Sequence, residues 1–281
     1  MNPVWLPVVV LQGVWLRSTL RLASAPGGGV SGTVPGPGAE PLRLAVLGDS
    51  TAAGCGVTDG EEAFAASLAQ ELAARTRRPV DWQAVGQFGA ASRRIRFQLV
   101  PRLDDNLDLV VLLAGANDVL AGRGPDLWRE DLTGILAGLT RRAHRVAVVG
   151  LPPFTLFPAI PATLARYLGE RAAALDAVTR EVCWDHPRTS FIDQPAGTPP
   201  PDFFSIDRFH PSTHGYRFWA RDAPTGSVLA NQRPDEPARP AHRRVPDYRV
   251  RVVRTRRVHH RVMAAAVAHF RRSAWPVSGS R

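Results

Sequence analysis

The run Leu107-Asp108-Leu109-Val110-Val111-Leu112-Leu113-Ala114 decides the fold. From Leu109 to Leu113 every side chain is apolar, so polar and apolar residues do not alternate, and a strand of that kind is covered on both faces. Cover on both faces requires helices above and below. Read outward from this run, the chain supplies them. Residues 42–48, 80–86, 145–151 and 189–193 read as further strands, and residues 61–76, 90–100, 125–140 and 161–184 as helices between them. This alternation predicts an α/β fold, a three-layer α/β/α arrangement with a central five-stranded parallel sheet. A flavodoxin-like strand order, 2-1-3-4-5, would bring the ends of the first and third strands together at one rim.

The ends of the chain have a different composition. Residues 1–25 form an apolar N-terminal segment. Its run from Pro3 to Leu16 is shorter than the roughly 20 residues that span a bilayer, and it contains Gln12 and two prolines. As a secretory signal it lacks a basic start, and Pro26 directly follows the small-x-small triplet Ala23-Ser24-Ala25. A segment that docks on the core or lies on a membrane surface is the favoured reading. Cytoplasmic or membrane-associated placement is therefore expected over secretion. Residues 26–41, rich in Gly and Pro, read as a flexible linker. The folded body is expected over 42–223.

The formal charge of +10 resembles a nucleic-acid signal until it is located. From Pro224 onward there are 13 Arg and 3 acidic residues, which leaves 22 basic and 22 acidic residues in the first 223 positions. The body is thus neutral and the excess belongs to residues 224–281, an Arg-rich tail expected to be disordered. Weak contact of that tail with anionic surfaces is expected, and no specific nucleic-acid partner. Its abrupt change of composition also raises the hypothesis of an altered reading frame near Arg221, which resequencing the coding DNA would test. No Lys occurs anywhere, which excludes a lysine Schiff base. The two cysteines, Cys55 and Cys183, make neither a disulfide framework nor a four-thiolate zinc site.

Chemistry-bearing residues gather at strand ends, where open α/β sheets bind ligands. The first strand delivers Asp49-Ser50-Thr51, although a serine there also reads as a helix N-cap. The second leads to Gly86-Gln87-Phe88-Gly89, whose glycines allow backbone N–H groups to face a ligand. The third leads to Gly115-Ala116-Asn117-Asp118. After the fifth comes Asp207-Arg208-Phe209-His210, a spacing that lets the carboxylate reach one imidazole nitrogen while the other faces the rim.

In this order and placement the residues resemble the SGNH hydrolases, also called the GDSL esterase/lipase superfamily, over about residues 41–222. Gly48-Asp49-Ser50 matches its first block, Gly115-Ala116-Asn117-Asp118 its third, and Asp207-Arg208-Phe209-His210 its last. The second block is the loosest match, Gly89 being followed by Ala90-Ala91 before Ser92, and Gly86 is an alternative to Gly89. The resemblance implies a serine esterase that cleaves carboxylic esters of small molecules through an acyl-enzyme intermediate, without metal or organic cofactor. Ser50 would be the nucleophile, His210 the base and Asp207 its orienting carboxylate. The N–H groups of Ser50 and Gly89 and the amide of Asn117 would form the oxyanion hole. Two other readings remain beside it: a metal-dependent phosphoesterase using Asp49, Asp118, His210 and His214, and a non-catalytic binding protein on the same scaffold. The apolar segment 151–158 reads equally as the wall of an acyl pocket and as a packed loop.

Overall fold

The computed structural model describes residues 5–222 apart from 28 and 196. The Arg-rich tail over 224–281 lies outside that range, and the hypothesised frame change near Arg221 falls at its edge. Within it the strands are β1 (Ser31–Val34), β2 (Leu42–Gly48), β3 (Val80–Gly86), β4 (Leu107–Leu113), β5 (Ala143–Val149) and β6 (Thr189–Ile192). The helices are α1 (Leu6–Thr19), α2 (Phe64–Thr76), α3 (Ser92–Arg94), α4 (Ala116–Leu120), α5 (Pro125–Leu139), α6 (Ala162–Asp185) and α7 (Thr213–Asp222).

One six-stranded sheet runs in the order β1-β3-β2-β4-β5-β6. The five strands from β3 to β6 are parallel, with Gly48 opposite both Gly86 and Leu113. Their order is the flavodoxin-like one. Alternate residues of β4 feed opposite cores: Val110 and Leu112 pack with α5 and α6, whereas Leu109, Val111 and Leu113 pack with α2 and α7. That two-sided burial is the physical content of the unbroken apolar run, and it makes the three layers.

The expected five strands become six, and the expected linker 26–41 is the reason. Its residues Ser31–Val34 form β1, antiparallel to β3 with Ser31 opposite Gln83 and Val34 opposite Val80. Main-chain pairing to an otherwise open sheet edge orders a segment whose composition alone favours a loop. Gly32 is suited to this place, because a Cβ there would lie 3.1 Å from the Trp82 indole. Thr33 Oγ1 also donates to Asp81 Oδ1 at 2.7 Å.

The helix expected over 90–100 is broken. One α turn at α3 passes into a π-helical turn, Ile95–Leu99, and then a 3-10 turn, Val100–Arg102. Pro101 lacks the N–H that would continue the regular ladder. The helix expected from 61 begins at Phe64, after a 3-10 turn whose Glu61 N–H is capped by Asp59.

The apolar N-terminal segment docks on the body. Val9 and Leu16 of α1 enter the core formed with α5 and α6, and Gln12 Oε1 accepts the N–H of Leu164 at 2.9 Å. Trp5, Leu11, Val14 and Trp15 face outward. Among the described residues no helix is long and apolar enough to cross a membrane.

Candidate active site

Adjacency of β2 and β4 places the loops that follow them side by side. The two strands approach closely at Gly48, where a Cβ would come within 2.0 Å of the Leu113 carbonyl oxygen. Beyond it the chain turns sharply: the N–H of Asp49 donates to Leu113 O, that of Ala53 to Asp49 O, and that of Cys55 to Ser50 O. Ser50 is thereby held at the rim by backbone bonds that do not involve its hydroxyl.

The second part of the site is the turn at 205–211. Asp207 Oδ1 accepts from Ser205 Oγ at 2.9 Å and from the N–H groups of Phe209 and His210 at 2.9 and 2.8 Å. Asp207 Oδ2 lies 2.7 Å from His210 Nδ1, and His210 Nε2 lies 2.9 Å from Ser50 Oγ. All three residues are buried. The loop after Ser50 braces this turn. A Cβ on Gly56, whose φ is +105°, would come within 2.3 Å of Pro211 O, and Tyr216 of α7 donates its hydroxyl to Cys55 O at 2.6 Å.

Electrostatics separates two buried carboxylates. Burial works to raise the pKa of Asp207, but the His210 ring and the backbone N–H of Ala23 outweigh it and hold the carboxyl well below its usual range. Asp49 has fewer donors, Thr51 N–H at 3.0 Å and Asn117 Nδ2 at 3.3 Å, and burial pushes its pKa up to about 6. Burial also raises the Cys55 thiol to about 12, so this cysteine remains a packed neutral thiol at neutral pH.

The raised Asp49 has a testable effect on stability. Between the ordinary value of 3.8 and about 6 the folded chain holds a proton that the unfolded chain releases, so stability falls as pH rises through this window. The loss from Asp49 is about 3 kcal/mol. Asp176, raised by burial to about 6, acts with the same sign. Urea unfolding of wild type and Asp49→Asn at pH 4 and pH 7 checks this: the variant should lose part of the pH dependence, with Asp176 and Asp118, both raised by burial, keeping the rest. Equal slopes would remove Asp49 as its source.

The expected oxyanion donors are placed differently from one another. Both amide hydrogens of Asn117 have partners here, Asp49 Oδ2 at 3.3 Å and Ala90 O at 3.2 Å. Gly89, at φ +70° with open space around its Cα, sits in a turn closed by Ala90 N–H to Gln87 O. Gly86 is glycine for another reason: a Cβ there would come within 2.1 Å of Ala53 N, so it allows close packing of the loop after Ser50.

Asp118 braces a loop. It accepts from Ser92 N at 2.9 Å and Ser92 Oγ at 2.6 Å, and pairs with Arg123 at 2.8 Å. Arg123 also pairs with Asp131 on the buried side of α5. The Ser92–Asp118 link ties the loop carrying Gly89 to the loop carrying Asn117, and sequence reasoning missed its serine. Its partner lies 26 positions away, so spacing gave no signal for it. His214 pairs at the surface with Asp202 at 3.4 Å. Among the described residues no group of three or more His, Cys, Asp and Glu side chains is gathered that could hold a metal ion.

Ser50, Asn117 and His210 open onto a cavity of about 130 Å³ whose walls are mainly apolar. Leu151, Phe154, Leu156 and Phe157 line it, so the segment 151–158 supplies much of its wall. Phe157 and Phe209 meet edge to face with ring centroids 5.1 Å apart.

Comparison with known proteins agrees with this architecture. The sequence profile of the GDSL-like Lipase/Acylhydrolase family matches residues 46–218. A GDSL-like esterase of Mycobacterium tuberculosis, Rv1075c, is 30% identical over 193 residues, covering 62% of this chain and 58% of its own length. Among solved structures, TesA superimposes with a TM-score of 0.51 at 21% identity over 67% of this chain and 98% of its own, a likeness of fold. AlinE4, an SGNH-hydrolase family esterase, does so with a TM-score of 0.48 at 21% identity over 70% of this chain and 99% of its own. With its profile matched across more than half of the sequence, the chain belongs to the GDSL-like lipase/acylhydrolase family.

Proposed function

We propose that the protein hydrolyses carboxylic esters through an acyl-enzyme intermediate on Ser50. The observation that carries this reading is the continuous hydrogen-bonded chain Asp207–His210–Ser50, ending on a hydroxyl at an apolar cavity. His210 Nε2 takes the Ser50 proton as Oγ forms a bond to the ester carbonyl carbon. Asp207, kept anionic, holds Nδ1 protonated and stabilises the imidazolium that forms. The same proton then passes to the leaving alkoxide as the ester C–O bond breaks. A water activated by His210 attacks the acyl-serine, and the acid leaves with Ser50 restored.

The developing oxyanion needs donors. The Ser50 N–H, the Gly89 N–H and the Asn117 amide are assigned to it. The Asn117 bonds, at 3.2 and 3.3 Å, are at the long end of the normal range, so the amide can turn toward a stronger, charged acceptor. Asn117→Ala should accordingly lower kcat by about 100-fold with KM little changed. Steady-state kinetics checks this, and a raised KM with kcat unchanged would reassign Asn117 to ground-state binding.

The apolar wall favours an acyl chain of modest length over a polar acyl group. The test is hydrolysis of p-nitrophenyl esters from acetate to palmitate, together with fluorophosphonate labelling read by mass spectrometry. Activity peaking at intermediate length and one label on Ser50 are expected. A folded protein inactive on every ester and unlabelled at Ser50 would overturn the reading. Neither the metal-dependent nor the non-catalytic reading draws support from a nucleophile already bonded to its base.

A further inference from the structure

Among the described residues Asp207 Oδ2 has two donors, and only one belongs to His210. The other is the backbone N–H of Ala23, at 3.0 Å and 184 positions earlier in the chain. Ala23 lies outside the 46–218 range of the family match, in an irregular stretch between α1 and β1. That stretch is fixed at several points. The N–H of Leu20 bonds to Leu16 O of the docked helix. Pro26 packs on the loop after Ser50, where a Cβ on Gly54 would meet its ring at 3.2 Å. Gly29 lies against Gly60 and Glu61, and Val30 O accepts Ala84 N–H where β1 joins the sheet.

We propose that residues 20–26 form a positioning strap for the active site, with the Ala23 N–H as the group that fixes Asp207 Oδ2 toward His210. The inference rests on the hydrolase reading above. Among the described residues Oδ1 has three donors, all from the local turn 205–210, whereas without Ala23 Oδ2 would be left with the imidazole it has to orient. A carboxylate held on one side can swing its free oxygen and carry the ring off the Ser50 hydroxyl. A donor from a separate, anchored segment closes off that motion.

The strap also helps keep Asp207 charged in a buried place. The titratable groups around that carboxylate are His210 in direct contact and, farther off, Cys55 and Tyr216. None of these is a permanent cation, so backbone N–H groups carry much of the compensation that burial demands. Because the donor is main chain, any residue but proline can supply it. A chain cut after Ala25 would have lost it.

The test uses the full chain with Ala23 replaced by lactate, which exchanges the N–H for an ester oxygen and leaves the methyl in place. Ala23→Pro is the encoded counterpart and Ala23→Ser keeps the donor. Lactate and proline should lower kcat about tenfold with KM changed less than about twofold, and Ala23→Ser should recover wild-type turnover. The downfield proton resonance of His210 Nδ1 should also shift in the lactate variant. Wild-type kcat with an unshifted resonance in that variant would overturn the proposal, as would Ala23→Ser losing as much as Ala23→Pro. If Ser50→Ala hydrolysed esters at the wild-type rate, the hydrolase reading would fail instead, while the resonance, which needs no turnover, would still report the strap.

Discussion

Ser50→Ala is expected to abolish ester hydrolysis, with a fall of about 10⁴-fold or more in kcat, and to leave the protein folded. The expectation of intact folding comes from the local bonds. The turn that carries Ser50 is closed by Asp49 N–H to Leu113 O, Ala53 N–H to Asp49 O and Cys55 N–H to Ser50 O, none of which uses the hydroxyl. Among the described residues the hydrogen-bond partner of Ser50 Oγ is His210 Nε2. The variant therefore loses one hydrogen bond at the edge of a cavity, which water can replace. Unfolding midpoints close to wild type, with no burst of p-nitrophenol, check both halves. A variant that keeps more than about a hundredth of wild-type kcat would move the nucleophile elsewhere.

The second large effect is expected from Asp207→Asn, at about 10⁴-fold in kcat, by a route this site makes specific. Three donors converge on Oδ1: Ser205 Oγ, Phe209 N–H and His210 N–H. They require an oxygen there, so an asparagine must put its NH₂ where Oδ2 now lies. That NH₂ would face the Ala23 N–H at 3.0 Å and His210 Nδ1 at 2.7 Å. The first contact becomes donor against donor, and the second leaves Nδ1 as an acceptor with the proton on Nε2, where it cannot receive the Ser50 proton. Loss of turnover with unchanged binding of a non-hydrolysable ester analogue checks this. Turnover within about tenfold of wild type would show instead that Asp207 is not what fixes the His210 tautomer.

The parts of this molecule that were legible in the sequence are those where side chains report their surroundings. The apolar run 109–113 tells that both faces of β4 are covered. The polar clusters at 48–51 and 115–118 follow strands directly and the cluster at 207–210 follows the last one by a loop, and the structure brings Ser50, His210 and Asp207 into one hydrogen-bonded chain. Much of what was not legible is carried by main chain. β1 is a pairing of backbone groups with β3, and a Ser-Gly-Thr-Val segment flanked by Gly and Pro gives no side-chain sign of it. Ala23 acts through an N–H that every residue but proline has. Ser92, which follows the loosely matched Gly89, proved to bond Asp118, a partner 26 positions away that spacing alone could not identify.

The separation of Ser50 from His210 by 160 positions, and of Ala23 from Asp207 by 184, governs when the protein becomes reactive during its own synthesis. Both early residues leave the ribosome long before their partners, since a chain grows at about 5–20 residues per second. Through that interval Ser50 has no base and is an ordinary alcohol. On the proposed mechanism Ser50 becomes a nucleophile only once the turn at 205–211 has been made and packed beside it, bringing His210 Nε2 to its hydroxyl. A ribosome stalled before Asp207 would hold a nascent chain unable to attack any ester around it.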